Sequence, residues 1–284
     1  MIVPGSASQA LAAELAAELD RPLAAVEYER FPDGELLASF SPDDVDGDEA
    51  VVVASTTSND AYIELLQLQD ALREAGVEEI TTVIPYIGYA RQDRAFEAGQ
   101  PISVRAVARA VSTGTDRVLT VDPHEETVRE FFDVPTESVT AAGRLAEPLS
   151  ELADPVFLSP DAGAIGLAET VRDAYGAGET DYFEKTRRSG SEVEIAPSDV
   201  EVGGRDVVVV DDIIATGSTM SEAIAVLQGR DPARVFVSCV HPMLVGSART
   251  KLARSGVEAV YGTDTIERAE SRVSAAPAIA EALR

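Results

Sequence analysis

Paired carboxylates and a hydroxyl-rich turn follow one strongly apolar run of this sequence. Val207–Val210 leads into Asp211 and Asp212, and the turn Ala215–Thr219 comes directly before a helical pattern. At a helix N-terminus, the unpaired backbone N–H groups and the helix dipole favour an anion, and hydroxyl groups add donors. We predict that the turn binds a phosphate through Ala215, Thr216, Gly217, Ser218 and Thr219, while the two aspartates face sugar hydroxyls. An ordinary serine-capped turn is the alternative.

Two segments carry groups suited to a purine and to several phosphates. Phe31–Glu35 (Phe-Pro-Asp-Gly-Glu) follows a candidate strand. An exposed aromatic ring can stack on adenine, and carboxylates can accept from its exocyclic amine; a plain Pro-Asp-Gly turn is the alternative. Pro85–Arg94 ends in Arg-Gln-Asp-Arg, where two arginines can engage a polyphosphate and lie against a purine face. A solvated arginine-rich loop is the alternative there.

Three more groups of polar residues lie at strand ends or in a charged stretch. His124, in Asp122-Pro123-His124, follows a predicted strand and is one of two histidines in the chain; a structural histidine is its alternative. Asp161 lies in Ser159–Ala164, between a strand and a helix, where it would also serve as a helix cap. Glu184–Arg188 precedes a stretch containing Gly and Ser and is interpreted as a mobile segment, with a charged hairpin as the alternative.

Short β-branched runs alternate with amphipathic helical patterns, which is typical of an α/β fold with mostly parallel sheets covered by helices. No Walker loop or GxGxxG motif follows a first strand, which argues against a P-loop kinase. The two halves look similar, and Val139–Pro155 is the best boundary, giving predicted domains 1–142 and 143–284. The predicted strands are Val51–Ala54, Thr81–Ile84, Arg117–Val121, Val156–Leu158, Asp206–Val210, Arg234–Val240 and Glu258–Tyr261. The predicted helices are Ala10–Leu19, Ala61–Glu74, Ile102–Val111, Ala164–Tyr175, Ser218–Gln228 and Ser247–Ser255.

The composition narrows the class of protein further. The 284 residues contain 50 acidic and 23 basic side chains, for a formal net charge of -27, and only Lys185 and Lys251 are lysines. This balance argues against nucleic-acid binding and indicates adaptation to high salt, since dense carboxylates are tolerated where screening is strong. The single cysteine, Cys239, excludes an intrachain disulfide. With no apolar run of membrane-spanning length and no signal-peptide pattern, we expect a soluble cytoplasmic protein without membrane contact.

Taken together, these ordered motifs resemble those of the ribose-phosphate pyrophosphokinases, which make 5-phosphoribosyl 1-diphosphate (PRPP). The Asp211–Thr219 segment alone resembles the PRPP loop of the type I phosphoribosyltransferase fold. The resemblance implies two tandem domains of that fold, each a mostly parallel sheet flanked by helices. Domain 1–142 would carry the ATP segments, and domain 143–284 the ribose 5-phosphate loop and the catalytic loop. The implied reaction moves the β,γ-diphosphate of ATP to the C1 hydroxyl of ribose 5-phosphate.

The resemblance also implies a role for each site residue and a Mg²⁺ cofactor. Lys185 and Arg187 would act in catalysis, and Arg187 would join Asp211, Asp212 and the 215–219 turn in binding ribose 5-phosphate. His124 and Asp161 would hold Mg²⁺. The implied ATP-binding residues are Phe31, Asp33, Gly34, Glu35, Arg91 and Gln92.

Two other functions stay open on the sequence. A phosphoribosyltransferase that consumes PRPP would explain the Asp211–Thr219 segment but not Phe31–Glu35 or Arg91–Arg94. A catalytically inactive regulatory homologue would bind nucleotide without turnover. The resemblance further implies a homo-oligomer, because the segment matching Phe31–Glu35 contributes to a neighbouring subunit's adenine site. Ala215 stands where many longer members carry aspartate, which puts inhibition by ADP in doubt.

Overall fold

The computed structural model describes residues 1–41, 45, 47–189, 192–197 and 200–284, and the side chains of residues 185–199 lie outside that description. The chain divides into two compact units. The first comprises Met1–Thr140, Asp264–Glu267 and Ser274–Arg284, and the second comprises Ala141–Thr263 and Arg268–Val273. Segments near the C-terminus therefore complete the first unit. The domain boundary between residues 142 and 143 remains a prediction.

The first unit is a parallel five-stranded sheet with helices and a separate hairpin. Its sheet has the order β1-β4-β5-β6-β7, and β2 pairs antiparallel with β3. The strands are β1 Ile2–Pro4, β2 Val26–Arg30, β3 Leu36–Phe40, β4 Glu49–Val53, β5 Glu79–Ile84, β6 Arg117–Val121 and β7 Thr136–Val139. The helices are α1 Gln9–Leu19, α2 Asn59–Glu74, α3 Ser103–Ser112, a 3-10 helix Glu126–Phe131 and the C-terminal α7 Ala276–Leu283, numbered after the helices of the second unit.

Helix α2 shows why these residues form and bury a helix. Ser58 caps it by accepting a hydrogen bond from the Ala61 N–H at 3.1 Å. Leu65, Leu68 and Leu72 fall on one face at helical spacing and are fully buried in the core of the first unit. This spacing of apolar side chains determines which face of α2 packs inward. It therefore also sets the rotation of the helix about its axis, including that of its first turn.

The second unit is a seven-stranded sheet of order β10-β9-β8-β11-β12-β13-β14, parallel except for the antiparallel β9–β10 pair. Its strands are β8 Val156–Ser159, β9 Glu179–Ser189, β10 Glu192–Pro197, β11 Asp206–Ile213, β12 Arg234–His241, β13 Ala259–Thr263 and β14 Ser271–Val273. Its helices are α4 Ile165–Tyr175, α5 Ser218–Gln228 and α6 Ala248–Arg254, with 3-10 helices at Ala142–Ala146 and Ala162–Ala164. The valines of β11 are fully buried, as expected for a central strand.

The predicted α/β class with mostly parallel sheets flanked by helices is confirmed, and the structure adjusts its details. β11 continues to Ile213, so Asp211 and Asp212 are the last part of the strand rather than residues that follow it. The short strands β1, β7 and β14 were not predicted, because three or four residues carry too little pattern. No helix in the described part of the chain is long and apolar enough to cross a membrane.

Candidate active site

The predicted phosphate-binding turn joins β11 to α5, and backbone hydrogen bonds from the segment leading into α6 hold it. The Leu244 N–H donates to the Ile214 carbonyl at 2.8 Å, and the Val245 N–H donates to the Ala215 carbonyl at 2.9 Å. Gly217 directly precedes α5 with φ +71°, in the left-handed region. A residue with a side chain would be strained there, so this turn depends on glycine.

The hydroxyl groups of the turn lie around the start of α5. Thr216, Ser218 and Thr219 are exposed, while Gly217 is buried beneath them. The Thr216 hydroxyl donates to Ser218 Oγ at 3.3 Å. The first N–H groups of a helix lack intrahelical acceptors, and here the exposed hydroxyl groups lie beside them. Such an arrangement favours an anion in general, and the phosphate-binding role of this turn stays a prediction.

Carboxylates approach one another at the carboxyl end of β11. Burial, and next the neighbouring carboxylate of Asp212, raise the pKa of Asp211 to about 8, and the charge of Asp161 adds to this effect. The charged form of Asp211 would be stabilised by a nearby cation or by hydroxyl donors. The oxygen donors of these acids therefore fit a hard divalent cation beside sugar hydroxyls.

The two predicted metal ligands each lie just beyond the carboxyl end of a strand. In the first unit, His124 follows β6 and is exposed, and Asp122 before it turns the chain with φ +36°. In the second unit, Asp161 follows β8 and accepts a hydrogen bond from the Gly163 N–H at 3.0 Å, so its capping role is real. Among the described residues, no group of three or more His, Cys, Asp or Glu side chains is arranged to hold a metal.

In the first unit, Phe31–Glu35 forms the turn of the β2–β3 hairpin. The Phe31 N–H donates to the Glu35 carbonyl at 2.8 Å, and the Glu35 N–H donates to the Asp33 carboxylate at 3.1 Å. Phe31 is 38% exposed, which leaves its ring accessible. The guanidinium of Arg30 donates to the Gly34 carbonyl at 2.7 Å and also pairs with Asp60 at the start of α2. The turn is thus built as a tight local unit and tied to α2.

The segment that carries Arg91 and Gln92 follows β5 and is fixed by tyrosines. The Tyr62 hydroxyl donates to the Gly88 carbonyl at 2.8 Å, and the backbone at Gly88 is so close to Thr56 that an added Cβ would lie 2.4 Å from the Thr56 carbonyl oxygen. Tyr89 adopts φ +63°, and its ring lies 5.9 Å from that of Tyr62. This packing sets the direction in which the chain enters the arginine-containing stretch.

The polar side chains of that stretch differ in how they are engaged. Arg91 is exposed and pairs with no carboxylate among the described side chains, although the chain has 50 acidic residues. Gln92 donates from its amide to the Pro101 carbonyl at 3.3 Å. Arg94 lies over the ring of Phe96, 5.2 Å from its centroid. Arg91 is therefore the group most available to a polyphosphate.

The first turn of α2 connects the two predicted purine-binding segments, a link that no motif in the sequence predicted. Asp60 pairs with Arg30 of the hairpin, and Asn59 accepts from the Tyr89 hydroxyl at 2.6 Å. In the sequence these residues read only as polar groups at a helix start, where an acid complements the dipole. Asp60 lies 30 positions after Arg30, and Asn59 lies 30 positions before Tyr89. Contacts between residues this far apart leave no local pattern in the sequence.

The predicted catalytic residues Lys185 and Arg187 lie on β9, opposite Ile195 and Val193 of β10. Their backbone pairing is that of an antiparallel hairpin, the alternative to a mobile segment. Their side chains lie outside the described part of the chain. Their catalytic role therefore stays a prediction, as do the ligand roles of the other site residues.

Comparisons with known proteins match both units of the chain. Residues 1–114 match the model for the N-terminal domain of ribose phosphate pyrophosphokinase, and residues 135–267 match the phosphoribosyl transferase domain. A ribose-phosphate pyrophosphokinase of Halobacterium salinarum is 66% identical over 284 residues, which is 100% of each chain. One from Methanosarcina mazei is 42% identical, covering 99% of this chain and 94% of its own.

A solved structure agrees with these sequence relatives. The crystal structure of phosphoribosylpyrophosphate synthetase from Mycobacterium smegmatis superposes with a TM-score of 0.83 and 29% identity, covering 100% of this chain and 97% of that one. The match extends over the α/β architecture of both units and over full-length relatives. On these grounds the chain belongs to the ribose-phosphate pyrophosphokinase family.

Proposed function

We propose that this chain is an ATP-dependent ribose-phosphate diphosphokinase, a transferase that converts ATP and ribose 5-phosphate to AMP and PRPP. The observation that carries the proposal is the glycine-dependent turn 215–219 at the start of α5, next to Asp211 and Asp212 at the end of β11. The turn would supply donors for a phosphate, and the two aspartates would supply acceptors for hydroxyl groups. A sugar phosphate needs both.

The second unit would bind ribose 5-phosphate. The backbone N–H groups and hydroxyls of Ala215–Thr219 would hold the 5-phosphate, and Asp211 and Asp212 would accept from the sugar hydroxyls. Hydroxyl donors stabilise a carboxylate, which offsets the burial that raises the pKa of Asp211. Binding of the sugar would then favour the charged form that accepts those hydrogen bonds.

The first unit would bind ATP. The exposed ring of Phe31 would stack on adenine, with Asp33, Gly34 and Glu35 contributing polar contacts from the same hairpin turn. The exposed guanidinium of Arg91 would contact the phosphates, and Gln92 would add an amide contact. Asn59 and Asp60 would hold the arginine-containing segment and the hairpin turn in place, through Tyr89 and Arg30 respectively.

The ribose-phosphate pyrophosphokinase family is generally metal-dependent, and we propose that the metal used here is Mg²⁺. In the first unit, His124 would be a ligand or water-mediated anchor for the Mg²⁺ on ATP. In the second unit, Asp161 would support a second Mg²⁺, and the neighbouring carboxylates at the end of β11 supply oxygen chemistry that suits it. When bound, these ions would offset the charge of the phosphates. Mg²⁺ keeps several waters and takes only one or two protein ligands beside a nucleotide, so a large protein cluster is not needed.

The chemistry would be a single displacement. The C1 hydroxyl oxygen of the sugar would attack the β-phosphorus of ATP in line, and its proton would be released to solvent. The bond from that phosphorus to the α,β-bridging oxygen would break, and AMP would leave with that oxygen. Lys185 and Arg187 would stabilise the charge that builds on the oxygens in transit. No covalent enzyme intermediate is needed.

We further propose a homo-oligomer located in the cytoplasm of a salt-adapted cell. The partly exposed Phe31 supports the first point, since a ring presented on a hairpin turn is available to a neighbouring subunit. The formal charge of -27 supports the second, because such a surface is tolerated best at high ionic strength.

The test is an assay of purified protein in potassium chloride of about 2 M, where surface repulsion is screened. AMP should form from ATP only when ribose 5-phosphate is present, and chelation of divalent cations should stop it until Mg²⁺ is added back. If the protein instead released diphosphate from PRPP plus a purine base, it would be a phosphoribosyltransferase. Nucleotide binding without turnover would identify a regulatory homologue.

A further inference from the structure

Lys251, one of the two lysines of the chain, reaches the predicted sugar-phosphate turn from a different element. It lies on α6, and its Nζ donates a hydrogen bond to Ser218 Oγ at 2.8 Å. Helix α6 packs directly on the turn, because an added Cβ at Gly217 would lie 3.4 Å from the Cα and carbonyl oxygen of Ala248. The close approach permitted by this glycine brings the ammonium group to the serine.

The hydrogen bonds of the Ser218 hydroxyl then point its proton outward. A hydroxyl has one donor and two acceptor positions. Ser218 Oγ accepts from Lys251 Nζ at 2.8 Å and from the Thr216 hydroxyl at 3.3 Å. With both acceptor positions used, the remaining O–H must donate to a third group. Ser218 is exposed at the start of α5, so this O–H group is available to an anion that binds at the turn.

The charge of Lys251 is also not neutralised by any carboxylate that the structure describes. Among the side chains that the structure describes, no carboxylate lies within ion-pair distance of Lys251, whereas Arg249 on the same helix is paired with Glu270 at 2.6 Å. In a chain with 50 acidic side chains, an ammonium group held on a serine rather than on an acid keeps its charge for another partner. A sugar phosphate at the turn would supply the complementary anion.

We infer that Lys251 is a positioning residue for ribose 5-phosphate, which orients the Ser218 hydroxyl toward the 5-phosphate and adds positive charge beside it. This inference rests on the proposed function of the turn. It assigns α6, which the sequence motifs do not include, to the substrate site.

The experiment measures ribose 5-phosphate and ATP affinities separately, by calorimetry and by KM. Lys251→Met keeps the length of the side chain and removes the charge and the donor. Arg254→Met removes a charge from the exposed last turn of the same helix and serves as the matched control. Since a hydrogen bond to a charged group is involved, Lys251→Met should lower the affinity for ribose 5-phosphate by about tenfold or more. Arg254→Met should change this affinity by less than about twofold. ATP affinity and kcat should stay near wild type in both.

A double-mutant cycle tests whether Lys251 acts through Ser218. Ser218→Ala should lower the affinity for ribose 5-phosphate. The double variant Ser218→Ala, Lys251→Met should have an affinity little lower than that of Ser218→Ala alone. The inference would be overturned if the losses of ribose 5-phosphate affinity in the two single variants multiplied in the double variant. It would also be overturned if Lys251→Met and Arg254→Met had equal effects, or if Lys251→Met lowered the affinity for ATP as much as that for ribose 5-phosphate. Thermal unfolding of each variant checks that it is folded. If the wild type binds ribose 5-phosphate without making AMP, the proposed reaction fails while this inference still holds; absence of ribose 5-phosphate binding overturns both.

Discussion

Replacing Asp264 with asparagine should stabilise the protein at neutral pH. Asp264 is 9% exposed, and its carboxylate accepts from the Ser274 hydroxyl at 2.6 Å and from the Ala275 N–H at 2.7 Å, just before α7. Burial raises the pKa of Asp264 to about 6 in spite of these two hydrogen bonds, and the charge of Glu14 adds to the increase. The folded protein therefore holds this group more easily as the neutral acid.

The magnitude follows from the two pKa values. The shift from 3.8 to about 6 is roughly two units, which corresponds to about 3 kcal/mol at about 1.4 kcal/mol per unit. Below about pH 4 the carboxyl group is protonated in both the folded and the unfolded state, so it does not lower the free energy of unfolding. Between about pH 4 and pH 6 the folded state binds more protons than the unfolded state, so the free energy of unfolding falls as pH rises. The full penalty is present at neutral pH.

The assay is urea unfolding at constant salt from about pH 4 to pH 7.5, with the wild type and Asp264→Asn measured in parallel. The amide oxygen can still accept from the Ala275 N–H, so the variant keeps this hydrogen bond without the charge. Its advantage over the wild type should grow by up to about 3 kcal/mol across this range. Asp70→Asn, on the exposed side of α2, removes one charge from the same unit as the control. A difference that is flat with pH, or equal to that of the control, would refute the reasoning.

Three further predictions concern catalysis, salt and assembly. Lys185→Ala should lower kcat by orders of magnitude in steady-state assays with modest changes in substrate affinity, because its contact would strengthen mainly in the transition state; near-normal kcat would contradict this role. The thermal midpoint, followed by circular dichroism, should rise from about 0.1 M to several molar KCl as repulsion among carboxylates is screened, whereas a flat or falling midpoint would argue against salt adaptation. Mixing Phe31→Ala, Asp33→Ala subunits with Lys185→Ala subunits should restore activity above the sum of the two, and a fully active monomer would exclude a shared site.

The parts of the fold that could be predicted are those with a strong local pattern. Val207–Val210 reads as a strand because a central parallel strand is buried on both faces and needs a continuous apolar run. The leucines of α2 repeat at helical spacing because one face packs inward. The turn 215–219 was recognisable because glycine and hydroxyl residues are required there by backbone conformation and donor count.

The parts that could not be predicted depend on contacts between distant residues. Lys251 donates to Ser218 across 33 positions, and Asp60 pairs with Arg30 across 30. Neither pair has a local signature, since a lysine on a short helix and an acid at a helix start are ordinary in isolation. The segments 264–267 and 274–284 likewise join the first unit through tertiary packing that local patterns do not encode.

The central claim is that this chain transfers a diphosphate group, and phosphorus-31 NMR of the reaction tests it most directly. With ATP, ribose 5-phosphate and Mg²⁺ in concentrated KCl, the β and γ signals of ATP should be replaced by the two coupled diphosphate signals of PRPP, in equal amount to the AMP signal that appears. Omitting ribose 5-phosphate should leave ATP intact. Formation of ADP with a new phosphomonoester, or no consumption of ATP that depends on the sugar phosphate, would contradict the account.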